Sequence, residues 1–173
     1  MTSHDDWDDH WRRYAAAAER NPAQRMRHGI ILRALQNESG AGSGMRVLDI
    51  GSGQGDLLAK INRALPQAAL AGFELSRSGV DISRRKVPSC EFELLDLFSP
   101  AASAERFSGW ATHAVCSEVL EHVDDPARFL LAARAYLAKR TTLIVTVPGG
   151  PMSAFDRHIG HRRHFDRQSL TDL

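Results

Sequence analysis

The sequence predicts an α/β fold, a parallel sheet with helices on both faces. Short apolar runs rich in valine, leucine and isoleucine alternate with helical patterns, and strands buried on both faces give such continuous apolar runs. A glycine-rich turn directly follows the first run, and acidic residues follow the next ones. In a parallel sheet these residues meet at the carboxyl edge, where ligands bind if the strand order reverses.

The elements follow in chain order. Residues 7–36 are predicted to be helical with a break at Asn21-Pro22, and residues 38–44 to form a flexible connector. The apolar runs predict strands at residues 45–50, 69–74, 90–95, 112–117 and 141–147. Helices are predicted at residues 56–65, 78–86 and 126–137, and a further one begins after Asp166.

The amino-acid composition limits the classes of function that this protein can have. Twenty-two basic and 21 acidic residues leave a net charge of +1, so we expect neither nucleic acid nor a membrane surface as partner. No apolar run approaches the roughly 20 residues that span a bilayer. The acidic N-terminus lacks an export signal, and Cys90 and Cys116 lie in strand-like runs as buried thiols. We therefore expect a cytoplasmic protein; its many arginines and alanines associate it with a bacterial source.

The strongest motif is VLDIGSGQGD, residues 47–56. A strand runs into Gly51, Gly53 and Gly55 and then into a helix, and glycine suits a sharp turn that a ligand approaches closely. The spacing differs from the G-x-G-x-x-G of dinucleotide sites, and Asp49 would repel a pyrophosphate. A ligand with an ammonium and a sulfonium group would be accepted there. A nicotinamide-dependent oxidoreductase is the alternative interpretation.

Three later segments support the cationic ligand. Glu74 ends the second strand, where a carboxylate can accept hydrogen bonds from two ribose hydroxyls. Asp96 closes the third strand in LLDL, and SEVLEHVDDP follows the fourth. Together with the glycine turn, these segments resemble class I S-adenosylmethionine-dependent methyltransferases, in particular the small-molecule, ubiquinone-biosynthesis-like group.

This resemblance implies a Rossmann-like fold with S-adenosyl-L-methionine as cofactor and S-adenosyl-L-homocysteine as product. It places Glu74 at the ribose and Asp96 at the adenine amino group. The cofactor-binding residues that we predict are Asp49, Gly51, Ser52, Gly53, Gly55, Glu74, Leu75, Asp96, Leu97 and Ser117. The expected reaction is methyl transfer to a small-molecule acceptor, at oxygen in preference to nitrogen. A non-catalytic cofactor-binding domain is an alternative.

The segment HIGHRRH, residues 158–164, follows the fifth strand. A metal cluster would need a helical segment, which Gly160 disfavours, and a nucleic-acid patch lacks a flanking basic run. We therefore expect a wall of the acceptor pocket. His161 and His122 are the predicted general bases, since histidine accepts a proton near neutral pH. The predicted acceptor-binding residues are His158, His164, Arg162 and, in a helical lid with Trp7 and Trp11, Tyr14.

An E-x-x-E-H pattern at residues 118–122 also resembles small-RNA ribose 2′-O-methyltransferases, which bind a divalent metal. Glu118, Glu121, His122 and His161 would then be ligands for Mg²⁺ or Mn²⁺. Our prediction is that no metal is needed, and the metal-assisted RNA enzyme is the alternative.

Members of the resembled family usually add two further strands after the fifth, whereas fewer than 30 residues follow Val147. We therefore expect a sheet truncated after its fifth strand, with the C-terminal hairpin missing. The predicted organisation is a helical lid or packing segment at residues 1–40 and a cofactor-binding domain at residues 45–173. The apolar edge of the fifth strand favours a homodimer that covers it.

Overall fold

A computed structural model describes residues 6–38, 43–100 and 102–173, so most of the predicted connector lies outside the described residues. The five predicted strands form one parallel sheet in the order β3-β2-β1-β4-β5. They are β1 (Arg46–Ile50), β2 (Ala69–Glu74), β3 (Glu91–Leu94), β4 (Ala111–Ser117) and β5 (Leu137–Thr146). The predicted parallel sheet is confirmed.

Seven α-helices lie in the described ranges: α1 (Trp7–Arg20), α2 (Pro22–Gln36), α3 (Asp56–Ala64), α4 (Arg77–Lys86), α5 (Pro126–Ala133), α6 (Ala154–His158) and α7 (Arg167–Thr171). The predicted break falls between α1 and α2. There the side chain of Asn21 accepts a hydrogen bond from the Ala23 amide, and Pro22 occupies the first turn, where no amide donor is needed. Asp166 caps α7 as predicted.

Most predicted boundaries agree within one residue, and the junction between α5 and β5 differs by several. The helix expected to reach Leu137 ends at Ala133, a 3₁₀ turn covers Arg134–Tyr136, and Leu137 already belongs to β5. Leu137 pairs with Ala111 ahead of a register irregularity, and the Thr141 hydroxyl bonds the carbonyl oxygens of Ala111 and Ala138. Tertiary pairing therefore overrides the helical periodicity, which fits Leu137 equally well.

The core lies on both faces of the sheet. Leu48 and Ile50 of β1 pack with Phe73 and Phe107 on one face, and Val47 packs with α2 and α3 residues on the other. Successive residues of a strand face opposite sides, so β1 is apolar on both. By contrast, α1 has no buried residue and adds to neither core.

Strand order reverses at β1, which lies between β2 and β4. The carboxyl ends of β1, β2 and β4 therefore meet at one edge, where parallel sheets bind ligands. β5 forms an outer edge of the described sheet. Among the described residues, no helix is long and apolar enough to cross a membrane.

Candidate functional site

The glycine turn connects β1 to α3. Gly51, Gly53 and Gly55 have positive φ angles of 77°, 55° and 79°, which residues with a Cβ rarely adopt. The amides of Gly51 and Ser52 both donate to the Phe73 carbonyl oxygen at 2.9 Å. These hydrogen bonds fix the turn against the end of β2.

Protein side chains also occupy the space beside all three glycines, most closely at Gly51 and Gly53. A Cβ on Gly51 would lie 2.5 Å from Val119, and one on Gly53 would lie 2.6 Å from the Trp11 ring. We predicted that close approach of a ligand requires glycine here. The structure adds another reason, since Trp11 of α1 covers the turn.

Glu74 is the central carboxylate of the site. One of its oxygens accepts a hydrogen bond from the Gly53 amide and the other from the Ser76 amide, both at 2.8 Å. The residue is 6% exposed, and burial raises the pKa of its carboxyl group although these amide donors lower it. Burial and the neighbouring Glu74 raise the pKa of Asp49 to about 7. A cation close to these two carboxylates would therefore be stabilised.

Polar contacts hold α1 across this edge. One oxygen of Asp8 accepts hydrogen bonds from the Ser78 amide at 2.8 Å and the Ser76 hydroxyl at 2.7 Å. The Gln54 side-chain amide donates to the Ala15 carbonyl oxygen at 2.8 Å. The helix consequently lies over the glycine turn, and its role as a lid stays a prediction.

A cavity of about 500 Å³ opens between α1, the carboxyl ends of the strands and the segment after β4. It is lined by Gly51, Glu74, Leu75, Asp96, Leu97, Glu118, His122 and Arg162 of the predicted site residues. The structure therefore brings together residues from five separate stretches of the sequence.

Other predicted cofactor residues lie behind this lining. Asp49, Ser52, Gly53 and Gly55 are buried in and beneath the turn, so they support the cavity wall. The Ser117 hydroxyl forms a 2.7 Å hydrogen bond with the hydroxyl of Thr146. Their roles as direct cofactor ligands stay predictions.

Three of the four predicted acceptor residues are also outside the lining. Tyr14 is 53% exposed and its ring contacts that of His10. The aromatic residues of α1 that line the cavity are Trp7 and Trp11. His158 is exposed at the end of α6, and His164 lies beside His161. Arg162 lines the cavity.

An aromatic wall that no sequence motif had indicated also lines the cavity. Phe98 packs edge-on against Phe129 at 6.1 Å, and the Arg128 guanidinium lies 5.0 Å from the Phe98 ring centre. Phe98 follows Asp96 by two residues at the end of β3, and this position was the available signal. Arg128 and Phe129 belong to the first turns of α5, and no sequence motif marks them.

The HIGHRRH segment is attached to the turn after β4. The Arg162 amide donates to the Glu121 carbonyl oxygen at 2.8 Å, and its guanidinium lies 2.6 Å from the Asp124 carboxylate. The Arg163 side chain donates to the Asp124 carbonyl oxygen at 2.7 Å. Of this segment, Arg162 lines the cavity, and the role of the segment as an acceptor wall stays a prediction.

His122 lines the cavity between Trp7 and His161, with ring centres 4.8 Å from each. Burial and, secondarily, the neighbouring His161 lower the pKa of His122 to about 4. His122 is therefore neutral at physiological pH and can accept a hydrogen bond or a proton from an acceptor. His161, the other predicted base, contacts His122 from behind the cavity lining.

Two glutamates of the E-x-x-E-H pattern differ in environment. Glu118 has a positive φ of 56°, contacts Arg27 at 3.6 Å and accepts a hydrogen bond from Thr146. Glu121 is fully buried, and its carboxylate oxygens have no hydrogen-bond partner among the described residues. Burial raises the pKa of Glu121 to about 8. Potential ligand atoms of Glu121, His122 and His161 lie within 4.8 Å of one another.

A parallel sheet with this strand order, a glycine turn after β1 and acidic residues at the ends of β2 and β3 defines a Rossmann-like fold of the class I methyltransferase type. A family model described as "Methyltransferase domain" matches residues 9–173. The chain belongs to this family, and its predicted family and fold class are confirmed. No curated protein matches the sequence.

Solved structures share the fold at low sequence identity. Phosphoethanolamine N-methyltransferase 2 of Haemonchus contortus, in complex with S-adenosyl-L-methionine, has a TM-score of 0.73 at 13% identity, covering 98% of this chain and 43% of its own. A second structure is that of geranyl diphosphate C-methyltransferase of Streptomyces coelicolor in complex with Mg²⁺, geranyl diphosphate and S-adenosyl-L-homocysteine. It has a TM-score of 0.65 at 18% identity, and the match covers 83% of this chain and 57% of the methyltransferase. The [4+2]-cyclase SpnF has a TM-score of 0.66 at 19% identity, and the match covers 83% of this chain and 54% of the cyclase. The chain spans about half the length of these proteins.

Proposed function

We propose that this domain binds S-adenosyl-L-methionine and transfers its methyl group to a small-molecule acceptor, at oxygen in preference to nitrogen. The observation that carries the proposal is the buried Glu74 carboxylate, which borders the cavity beside the glycine turn. Relatives of the same fold are complexed with S-adenosyl-L-methionine or S-adenosyl-L-homocysteine, which supports the cofactor.

The residues fit this cofactor chemically. Each Glu74 oxygen accepts one backbone hydrogen bond, so each keeps a lone pair for a ribose hydroxyl. One Asp96 oxygen accepts from the Phe98 amide, and the other can accept from an adenine amino group. The cavity of about 500 Å³ lies within the range of roughly 300–1,000 Å³ typical of small-molecule sites. The carboxylates of Asp49 and Glu74 favour a ligand with cationic groups.

The protein's own contribution would be to hold the acceptor in line with the methyl group and to exclude water. Trp7 and Trp11 close the cavity on the side of α1, and Arg162 borders it as an ion pair with Asp124. His122 is neutral at physiological pH and would accept the proton of an acceptor hydroxyl, but as a weak base because its pKa is lowered to about 4.

Calorimetric titration with S-adenosyl-L-homocysteine tests the cofactor site, with NAD⁺ as the competing ligand. Glu74→Gln keeps the side chain's shape but removes its charge, and we expect binding to weaken about 10- to 100-fold because a charge-assisted hydrogen bond contributes about 1.5–3 kcal/mol. Glu19→Gln is the matched control, since this side chain is 64% exposed. Circular dichroism confirms that each variant is folded.

Binding of NAD⁺ instead, or undiminished binding by a folded Glu74→Gln variant, would overturn the proposal. A separate assay follows methyl transfer from labelled cofactor to acceptors in a cell extract. Cofactor binding without any transfer would favour the alternative, a non-catalytic cofactor-binding domain.

The proximity of Glu121, His122 and His161 favours a second candidate, a metal-assisted RNA ribose 2′-O-methyltransferase. Glu118, the fourth predicted ligand, is not part of this group, and its carboxylate contacts Arg27 and Thr146. Loss of activity on chelation, with rescue by Mg²⁺ or Mn²⁺, would support this candidate. Full activity of His122→Ala would contradict it.

The proposal includes two further expectations, a bacterial cytoplasmic location and a homodimer. β5 is an outer strand of the described sheet, and Leu143 on it is 37% exposed. Unpaired edge strands are stabilised by pairing or by a covering partner. A dimer that dissociates when Leu143 is replaced by lysine, measured by sedimentation, supports this expectation, and a monomeric wild-type chain contradicts it.

A further inference from the structure

We propose that Asp156, His161 and His164 together bind one divalent transition-metal ion, and that Zn²⁺ is the ion their donor atoms fit best. The three residues belong to the segment that begins α6 and continues into HIGHRRH. Of these three residues, only His161 is also one of the four possible metal ligands named with the E-x-x-E-H pattern. Binding of the ion does not require that the domain transfer a methyl group.

The donor atoms already converge. His161 Nδ1 lies 3.1 Å from His164 Nε2, while Asp156 Oδ1 lies 3.9 Å from His161 Nδ1 and Oδ2 lies 3.8 Å from His164 Nε2. Bonds of about 2.0–2.1 Å in a tetrahedron separate the ligand atoms of Zn²⁺ by about 3.3 Å. One ligand atom from each residue lies within 4.8 Å of the other two, so shifts of at most about 1.5 Å would bring the three groups into coordination geometry.

A contact with a backbone carbonyl selects the tautomer of the His164 ring. Its Nδ1 is 3.1 Å from the Gly150 carbonyl oxygen, which can only accept a hydrogen bond. Nδ1 therefore carries the hydrogen and the neutral ring keeps its lone pair on Nε2, on the side of His161. A carbonyl partner on the other nitrogen is the usual arrangement that orients a metal-binding histidine.

Asp156 is held just as firmly. Its Oδ2 accepts hydrogen bonds from the amide and hydroxyl of Ser153 at 2.6 and 2.7 Å, which leaves Oδ1 available. These hydrogen bonds lower the pKa of the carboxyl group, so it is ionised at neutral pH. The side chains of His161 and His164 are 9% and 8% exposed, whereas that of Asp156 is 21% exposed and gives an ion access.

The backbone pre-organises the group. The His161 amide donates to the Asp156 carbonyl oxygen at 2.9 Å, and Gly160 turns the chain with a φ of 90°. The Phe165 amide donates to the Pro148 carbonyl oxygen at 3.0 Å. We expected histidines three apart to converge only in a helix. That expectation is wrong for His161 and His164, which converge in a non-helical turn after Gly160.

Two imidazoles and one carboxylate suit Zn²⁺, Co²⁺ or Fe²⁺, whereas Mg²⁺ and Ca²⁺ prefer oxygen ligands throughout. Three protein ligands leave a fourth position for water. Arg162 and Arg157 are nearby cations that weaken binding, but the Arg162 guanidinium is paired with Asp124. A bound ion would fix His161 against His122 and thereby the wall of the cavity.

The test is titration of the untagged, chelator-treated chain with Co²⁺, followed by its visible absorption, and competition with Zn²⁺. We expect one bound ion per chain. Asp156→Asn and His164→Ala should each weaken affinity on the order of 100-fold, since even changes to outer partners of metal ligands cost about 10- to 100-fold. His158→Ala is the matched control, because this histidine is exposed in the same segment. Glu121→Gln removes the neighbouring donor set and should leave binding unchanged.

Histidine ¹⁵N spectra of the wild-type chain give a readout that needs no variant. Zn²⁺ should shift the resonances of His161 Nδ1 and His164 Nε2 and leave those of His158 unchanged. Absence of Co²⁺ binding, equal binding by the His164→Ala variant, or loss of binding in Glu121→Gln alone would each overturn the proposal. The last result would place the ion at Glu121, His122 and His161 instead.

Discussion

Replacing Gly53 by alanine tests whether Trp11 covers the glycine turn. Two costs arise from the structure. A residue with a Cβ at φ 55° is strained by about 1–2 kcal/mol. The new Cβ would also lie 2.6 Å from the Trp11 ring, and overpacking of this kind costs about 1–3 kcal/mol. We therefore expect Gly53→Ala to lower the free energy of unfolding by about 2–5 kcal/mol.

A double-mutant cycle separates the two costs. In a Trp11→Ala background the clash is removed and the backbone strain remains, so Gly53→Ala should cost only about 1–2 kcal/mol. Urea unfolding of the four proteins, followed by circular dichroism, gives each free energy of unfolding. An equal cost of Gly53→Ala in both backgrounds would refute the contact between Trp11 and the turn. Tyr14→Ala, at a 53% exposed residue of the same helix, is the control background.

Two further predictions concern Glu121 and the aromatic wall. The pKa of Glu121, about 8 when folded against an ordinary value near 4.5, means that its contribution to stability is full below about pH 4.5 and is lost as pH rises through about 8. Glu121→Gln should therefore have the same free energy of unfolding as the wild type near pH 4.5. At pH 8.5 its free energy of unfolding should be higher than that of the wild type by on the order of 1–3 kcal/mol. Urea unfolding of both proteins at the two pH values measures this, and a difference that does not change with pH would contradict the prediction. Phe98→Ala should weaken binding of S-adenosyl-L-homocysteine about 3- to 10-fold in calorimetry, because an aromatic contact contributes about 0.5–1.5 kcal/mol. Phe155→Ala, at a 66% exposed residue, should not change it, and equal effects of both variants would count against the aromatic wall.

Backbone periodicity and turn chemistry made the fold readable from the sequence. The apolar runs specified five strands because a strand buried on both faces tolerates few polar residues. The glycines of the turn, Pro22 after Asn21 and the capping Asp166 are local signals that act within a few residues. The end of α5 was misjudged because Leu137 satisfies a helical pattern and a strand pairing equally well.

Some residues of the candidate site could likewise be predicted from the sequence, and others could not. Glu74 and Asp96 could be placed at the cavity since each lies at the carboxyl end of a strand, and parallel strands end at one edge. Phe98, Arg128 and Phe129 could not, because their approach depends on how the loop after β3 meets α5. The orientation of α1 likewise presents Trp7 and Trp11 to the cavity and leaves Tyr14 in solvent.

The sequence by itself determined the class of fold, the glycine turn and the acidic residues at the strand ends, because these depend on local conformation and on the period of apolar residues. Only the tertiary structure decided that Trp11 covers Gly53, that Glu121 is buried beside His122, and that Asp156, His161 and His164 converge. These contacts join residues through the rotation of a helix and the path of a turn. Both are fixed by packing against the rest of the chain, which a linear pattern does not encode.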